Sequence, residues 1–308
     1  MKKMINTTRI EGILYEHNLE LKVSGPNSKT PGTEFITGTV SIATDDACVN
    51  IVPVHFTYVT ATTTTGKVNN TFTVLNNIVN GTITTMMDGD KDSAGKLSID
   101  SAIGLNEFYT DRNGTEELVS AKRNEGGFVH RIDALSEDES LRNTFSCDMV
   151  ITNCRRVEGD PEKNTADKVI VKGAIFNFRN SLMPVEFTAT NPNAMNYFES
   201  LNASTKEPVF TKVWGRQVSE TVTRTITEES AFGDASVREV KSSRKDWVIT
   251  GAAKELYEWD VEGVITAAEL NEAITKREVD LAAMKARQDE YKASQSNPAT
   301  PAAGAFNF

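Results

Sequence analysis

Apolar and polar residues alternate with a period of two through the first two-thirds of the chain. In 9–23 (RIEGILYEHNLELKV), Ile13, Tyr15, Leu19, Leu21 and Val23 recur with polar residues between them. This predicts a strand that slips register once near His17-Asn18. Segments 35–44 (FITGTVSIAT) and 49–59 (VNIVPVHFTYV) are β-branched and aromatic and predict two more strands. Gly25-Pro26-Asn27 and Pro31-Gly32 punctuate the first gap. The period then changes. Phe72, Leu75, Ile78 and Val79 fall at helical spacing, which predicts a short helix over 70–79. A hairpin follows, 106–109 and 117–122 about Asp111-Arg112-Asn113-Gly114, where Asn-Gly supplies the positive φ angles of such a turn.

The second half repeats this plan. Strands are predicted at 145–157, 168–179 and 183–190, a short helix at 192–201 with Met195, Phe198 and Leu201 inward, and a strand at 208–218. The repeat is one of pattern, since identity between the halves is negligible. Three strands, a short helix and a closing pair of strands is the element order of the OB-fold, a five-stranded barrel that binds oligonucleotides or oligosaccharides. The expected fold is mainly β: tandem OB-like barrels over 1–140 and 141–250, a helical segment over 251–293 and a disordered tail over 294–308.

Beyond residue 220 the character changes. Residues 221–250 are polar and strand-like, with Arg238, Lys241, Arg244 and Lys245 clustered. Thr266 with Glu269 forms a capping-box pair that starts a helix. Along it Leu270, Ile274, Arg277, Leu281, Met284, Gln288 and Tyr291 recur in steps of four and three. Such a face packs on its own domain or self-associates as a short coiled coil, so a homo-oligomer stays open. From residue 294 the composition is too polar and too simple to fold alone, yet it ends in Phe306-Asn307-Phe308.

Charge and composition narrow the function. With 33 Lys plus Arg against 43 Asp plus Glu, the net charge of −10 excludes a uniformly basic binder but leaves a local basic groove open. No apolar run approaches ~18 residues and none follows the charged start, so neither a membrane helix nor a signal peptide is expected. Cys48, Cys147 and Cys154 are odd in number and unpaired in spacing, arguing against a disulfide framework or zinc site and for a reducing bacterial cytoplasm. His17, His55 and His130 each sit in a strand pattern. The acidic run Asp88-Gly89-Asp90-Lys91-Asp92 lacks the glycine and glutamate of a calcium loop, with Ser93 and Ile99 in their places. Gly66-Lys67 lacks the rest of a phosphate loop, and no nucleophile elbow or dinucleotide fingerprint occurs. The chain reads as a non-enzyme with no cofactor or metal.

The binding case rests on rings and cations that share strands. Lys168, Lys172, Phe176, Phe178 and Arg179 lie on one strand; Lys212, Trp214 and Arg216 lie on another, at one parity. Residues 167–226 hold seven basic against five acidic side chains inside an acidic protein. Bases stack on rings at ~1–3 kcal/mol each while cations follow the phosphates. The competing reading makes Phe176, Phe178 and Trp214 barrel core, with the lysine heads reaching outward. In the first half, Phe56 and Tyr58 share parity and lead into a threonine-rich loop ending at Lys67. Lys122, Arg123, Phe128, His130 and Arg131 surround Gly126-Gly127, a basic-aromatic hairpin able to close over a strand.

The runs Arg9-Ile10-Glu11-Gly12-Ile13-Leu14-Tyr15-Glu16-His17-Asn18, 169–178, Lys212-Val213-Trp214-Gly215-Arg216 and Gly251-Ala252-Ala253 resemble the single-stranded-DNA-binding proteins of phages and integrated elements of Gram-positive bacteria. That resemblance implies OB-type domains, single-stranded DNA as ligand and a role in replication or recombination. The ending resembles the C-terminal tip of bacterial single-stranded-DNA-binding proteins, which docks partner proteins through a terminal phenylalanine. Here the acidic residues before Phe308 are missing, and Phe306 and Phe308 are the candidate docking residues. The alternatives are a virion tail or baseplate protein, and a protein- or carbohydrate-binding module.

Overall fold

The computed structural model describes residues 4–159, 166–228, 236–261 and 263–296. The first half comprises β1 (Asn6–His17), β2 (Glu20–Val23), β3 (Glu34–Ala43), β4 (Ile51–Thr60), α1 (Asn70–Val79), β5 (Lys96–Arg112) and β6 (Thr115–Arg131). β1 pairs with β3 and β5, β3 with β4, and β5 with β6, all antiparallel; β4 and β6 close the circuit in parallel. The result is a five-stranded barrel of OB connectivity, with α1 between its third and fourth strands and β2 as an edge addition to β3.

The second half is built likewise from β7 (Asn143–Val157), β8 (Lys168–Phe176), β9 (Leu182–Ala189), α2 (Pro192–Ser200), β10 (Val209–Glu228) and β11 (Ser236–Ala252). β7 pairs with β8 and β10, β8 with β9, and β10 with β11; β9 and β11 meet in parallel. The first strands of the two barrels then pair with each other, from Asn6↔Cys147 to Ile10↔Asn143, and join both barrels into one 11-stranded sheet.

Alternation decides which side chains fill each barrel. Ile10, Leu14, Val54, Phe56, Leu97 and Ile99 fill the first, sealed by Leu75 and Ile78 of α1. Phe145, Met149, Val171, Val185 and Phe187 fill the second, sealed by Met195 and Phe198 of α2. Both helices carry an asparagine N-cap, Asn69 and Asn191, whose side chain accepts an N–H of the first turn. A third apolar cluster lies outside the second barrel. There Val150, Ala174, Phe176, Leu182 and Phe210 are covered by Tyr257, Trp259, Ile265, Leu270 and Ala273.

The last three of those lie at or near the start of α3 (Ala267–Ser296). Its capping box forms: Glu269 N–H donates to Thr266 Oγ1 at 3.1 Å, and Thr266 N–H donates to Glu269 Oε2 at 3.0 Å. Farther along, α3 lies on the β5–β6 hairpin. Arg277 pairs with Glu107 at 2.5 Å, and Gln288 brackets the Tyr109 backbone by accepting its N–H at 3.1 Å and donating to its carbonyl at 2.5 Å. Part of the face read as a heptad seam, Arg277 and Gln288, therefore meets the chain's own hairpin, while Ile274 and Tyr291 on that face are exposed. No helix among the described residues is long and apolar enough to cross a membrane.

Two details differ from the sequence pattern. The slip near His17 is a break between β1 and β2, held by Leu19 N–H donating to His17 Nδ1 at 3.1 Å. The hairpin is also much longer than predicted, because β5 begins at Lys96 and β6 ends at Arg131. Its lower half was hidden by a register shift between Asp100 and Ala102, which breaks strict alternation. At its tip Asn113 and Gly114 take φ of 56° and 78°, the turn expected of them.

Candidate nucleic-acid interface

Besides Tyr58, three candidate rings stand in solvent: Phe178 (74% exposed), Phe128 (69%) and Trp214 (40%). Each is held out by its own backbone. β8 ends at Phe176, and the chain turns through Asn177–Ser181, closed by Asn177 N–H donating to the Ser181 carbonyl at 3.0 Å. Phe178 rides that turn with the Arg179 guanidinium 5.0 Å above its ring. Phe128 follows Gly126 and Gly127, with φ of 66° and 118°, in the bulge opposite Asp100. A Cβ on Gly127 would lie 2.0 Å from the Asp100 carbonyl oxygen, so only glycine allows this approach. Trp214 lies on the outer face of β10 over Gly251 of β11, where an added Cβ would sit 2.4 Å from the indole.

These rings border two cavities. The first, about 570 Å³, lies between the Phe178 turn, the Gly126-Gly127 bulge and α3. The second, about 500 Å³, is a groove over the seam where β1 meets β7, with Phe128 and Trp214 on its walls and Thr7, Arg9, Thr144 and Ser146 along its floor. Arg9 is half-exposed and makes a loose 3.4 Å pair with Glu11, leaving its guanidinium available at the floor. Sequence reasoning missed Arg9 and the hydroxyl floor, because they assemble only through pairing between the two halves.

The remaining candidates scatter. Phe56 is fully buried inside the first barrel and Phe176 is fully buried under the C-terminal segment, so neither ring can meet a base, a correction to both expectations. The physical reasons differ: Phe56 has inward parity, whereas Phe176 has the outward parity expected but is covered by residues around 257–273. Tyr58 is half-exposed, stacked on Phe35 at 4.5 Å, with its hydroxyl bonded to Ser24 and Thr30. Lys67 is exposed in its loop, away from the grooves.

Lys122 spans the barrels. It donates to the Glu186 carbonyl and sits 5.0 Å over the Phe187 ring, and burial depresses its pKa to about 8. Arg123 is half-buried and paired with Glu125 at 2.6 Å. Both are committed to intramolecular contacts, against the expectation that they face DNA. Lys172 is exposed but pairs with Glu186 at 3.3 Å. Arg131, Arg179 and Arg216 are exposed, and Lys212 is half-buried. Phe306 and Phe308 lie outside the described residues. No cluster of three or more His, Cys, Asp or Glu able to hold a metal occurs among the described residues.

Comparison with known proteins places the chain as follows. The wild-type single-stranded DNA binding protein from Thermus aquaticus is similar at 9% identity and a TM-score of 0.47, covering 83% of this chain and 95% of its own. A deletion mutant of that protein is similar at 9% identity and 0.47, covering 84% and 98%. No curated protein matches the chain. The family model described as YorF matches residues 4–287.

Proposed function

The chain belongs to the YorF family, and on that premise we propose that it binds and protects single-stranded DNA without catalysing a reaction. The observation that carries this reading is the set of solvent-exposed rings, Phe178, Phe128 and Trp214, at two cavities on two OB-type barrels. Rings left in water at the mouths of grooves are stacking platforms, and Arg9, Arg179, Arg131 and Arg216 supply exposed cations around them. The acidic remainder of the surface confines a polyanion to this band. Lys212 completes the site at the edge of β10, and Lys172 joins once its pair with Glu186 yields to a phosphate.

The setting proposed is replication or recombination of a phage or mobile element in the bacterial cytoplasm, supported by the sequence resemblance. Phe306, Phe308 and the terminal carboxylate are proposed to dock a replication or recombination protein. The test is titration of labelled oligo-dT across a salt series. Log affinity should fall linearly with log salt, since each phosphate contact releases a counterion. Absence of any salt-dependent binding to oligo-dT would refute the reading. Deleting 300–308 should leave DNA affinity intact and remove a co-purifying protein; an unchanged set of partners would refute the docking role.

A further inference from the structure

Asp100 stands where a groove for a polyanion should least tolerate a carboxylate. It is paired in register with Phe128 on β6 and with Arg9 on β1, so it sits between an exposed ring and an exposed guanidinium in one row across the sheet. Residues directly opposite on an antiparallel pair have Cβ atoms about 4.5–5.5 Å apart, which sets the Asp100 side chain beside that of Phe128. Asp100 is itself exposed, and all three residues line the cavity of about 500 Å³ that also holds Trp214.

No group among the described residues neutralises this carboxylate. Arg9 pairs instead with Glu11 at 3.4 Å, and the Asp100 side chain makes no ion pair or hydrogen bond among the described residues. A phosphate placed here is repelled, so a strand lying in the groove turns its bases toward Asp100. A base stacked on Phe128 carries its hydrogen-bonding edge within reach of the carboxylate. An ionised carboxylate only accepts, so that edge must donate. Cytosine offers its exocyclic N4 amino group, and adenine and guanine each carry an exocyclic amino group as well. Thymine and uracil offer only an N3–H flanked by two carbonyl oxygens, and both oxygens repel the carboxylate.

We infer that Asp100 is a specificity-determining residue of this groove: it makes the position stacked on Phe128 select bases with an exocyclic amino group over thymine and uracil. This rests on the single-stranded DNA reading above. Phosphates of the same strand pass toward Arg9 and toward Arg216, which lies two residues beyond Trp214 on β10 and shares its face. The selection acts at one position of the strand, so it biases a general binder and does not impose a fixed sequence.

The experiment measures, by fluorescence anisotropy, the affinity of the full chain and of Asp100→Asn for labelled oligo-dC and oligo-dU of equal length. Mildly alkaline pH keeps cytosine neutral, and the two bases then differ only at ring position 4 and in the N3 proton. The parent should bind oligo-dC about 3- to 10-fold more tightly than oligo-dU, the size of one net hydrogen bond. Asp100→Asn keeps the size of the side chain but removes its charge, and an amide donates as well as accepts. Its ratio should therefore fall to about 1, chiefly through tighter binding of oligo-dU. Phe128→Ala removes the stacking platform and should erase the preference as well. An unchanged oligo-dC to oligo-dU ratio in either variant, or equal affinities in the parent, would overturn the role of Asp100 while leaving single-stranded DNA binding intact. Failure of the parent chain to bind oligo-dC, oligo-dU and oligo-dT alike would instead overturn the underlying reading.

Discussion

Replacing Gln217 with methionine tests how the two barrels are held in one geometry. Gln217 on β10 and Asn124 on β6 exchange two side-chain hydrogen bonds of 2.8 Å, and both side chains are buried. Asn124 also donates to the Pro53 carbonyl at 3.0 Å. The Gln217 backbone is held by Asn143, whose amide donates to its carbonyl at 2.5 Å, and by Asn50, which donates to the same carbonyl at 3.2 Å. Gln217→Met keeps the bulk and those backbone contacts but strands the Asn124 carbonyl oxygen and one of its N–H groups. At ~1–3 kcal/mol per orphaned buried group, the variant loses about 2–6 kcal/mol of stability. Asn124→Ala strands the Gln217 amide and the Pro53 carbonyl and loses a similar amount. The double variant removes both amides together, so its loss should fall short of the sum of the singles by about 2 kcal/mol. Urea unfolding followed by far-ultraviolet circular dichroism and tryptophan emission measures all four corners of the cycle, valid where the two probes coincide. Strictly additive losses would refute the claim that this pair couples the barrels.

Burial lowers the pKa of Lys122 from 10.5 to about 8, so between those values the unfolded chain binds the extra proton and stability should rise with pH. Lys122→Met should abolish that rise relative to the parent, measured by chemical unfolding from pH 7.5 to 10.5. Arg277→Ala leaves Glu107, 15% exposed, with only the Ser120 hydroxyl and no cation, and should cost about 3 kcal/mol, with faster amide exchange along the middle of α3. Gly127→Ala drives a Cβ into the Asp100 carbonyl at a φ of 118° and should lower stability by about 1–3 kcal/mol, read by chemical unfolding, while weakening oligo-dT binding through displacement of Phe128.

Much of the fold was legible because it is written in local periods. Alternation in 49–59 and helical spacing in 70–79 correspond to β4 and α1, and the Thr266–Glu269 pair marks the start of α3 to the residue. What local periods cannot carry is which outward face another segment covers. Lys172 and Phe176 share outward parity on β8, yet one is in water and the other lies under residues from the far end of the chain. Parity assigns a side of the strand; only the tertiary partner decides whether that side is surface or a second core. Trp214 shows the opposite result. Its outward parity holds, and the bare Gly251 backbone on β11 leaves room for the ring to lie against the sheet.

The seam carries the same reasoning one step further. Thr7, Thr8 and Arg9 look like the unremarkable start of a strand, and Thr144 and Ser146 like the start of another. Nothing in either segment marks a site, because neither has rings or a cluster of charge. Their meaning arises when the two first strands pair antiparallel, which places the polar starts side by side and sets Phe128 and Trp214 on opposite banks. An interior seam between two fused barrels would be expected to fill with apolar side chains, since it joins two hydrophobic cores. Its outer surface instead carries Thr7, Arg9, Thr144 and Ser146, and the Ser146 hydroxyl is buried with no partner in the protein. Leaving the Ser146 hydroxyl unsatisfied costs stability that alanine at that position would not cost. On the proposed single-stranded DNA reading, this polar outer face is what a strand crossing the seam would meet.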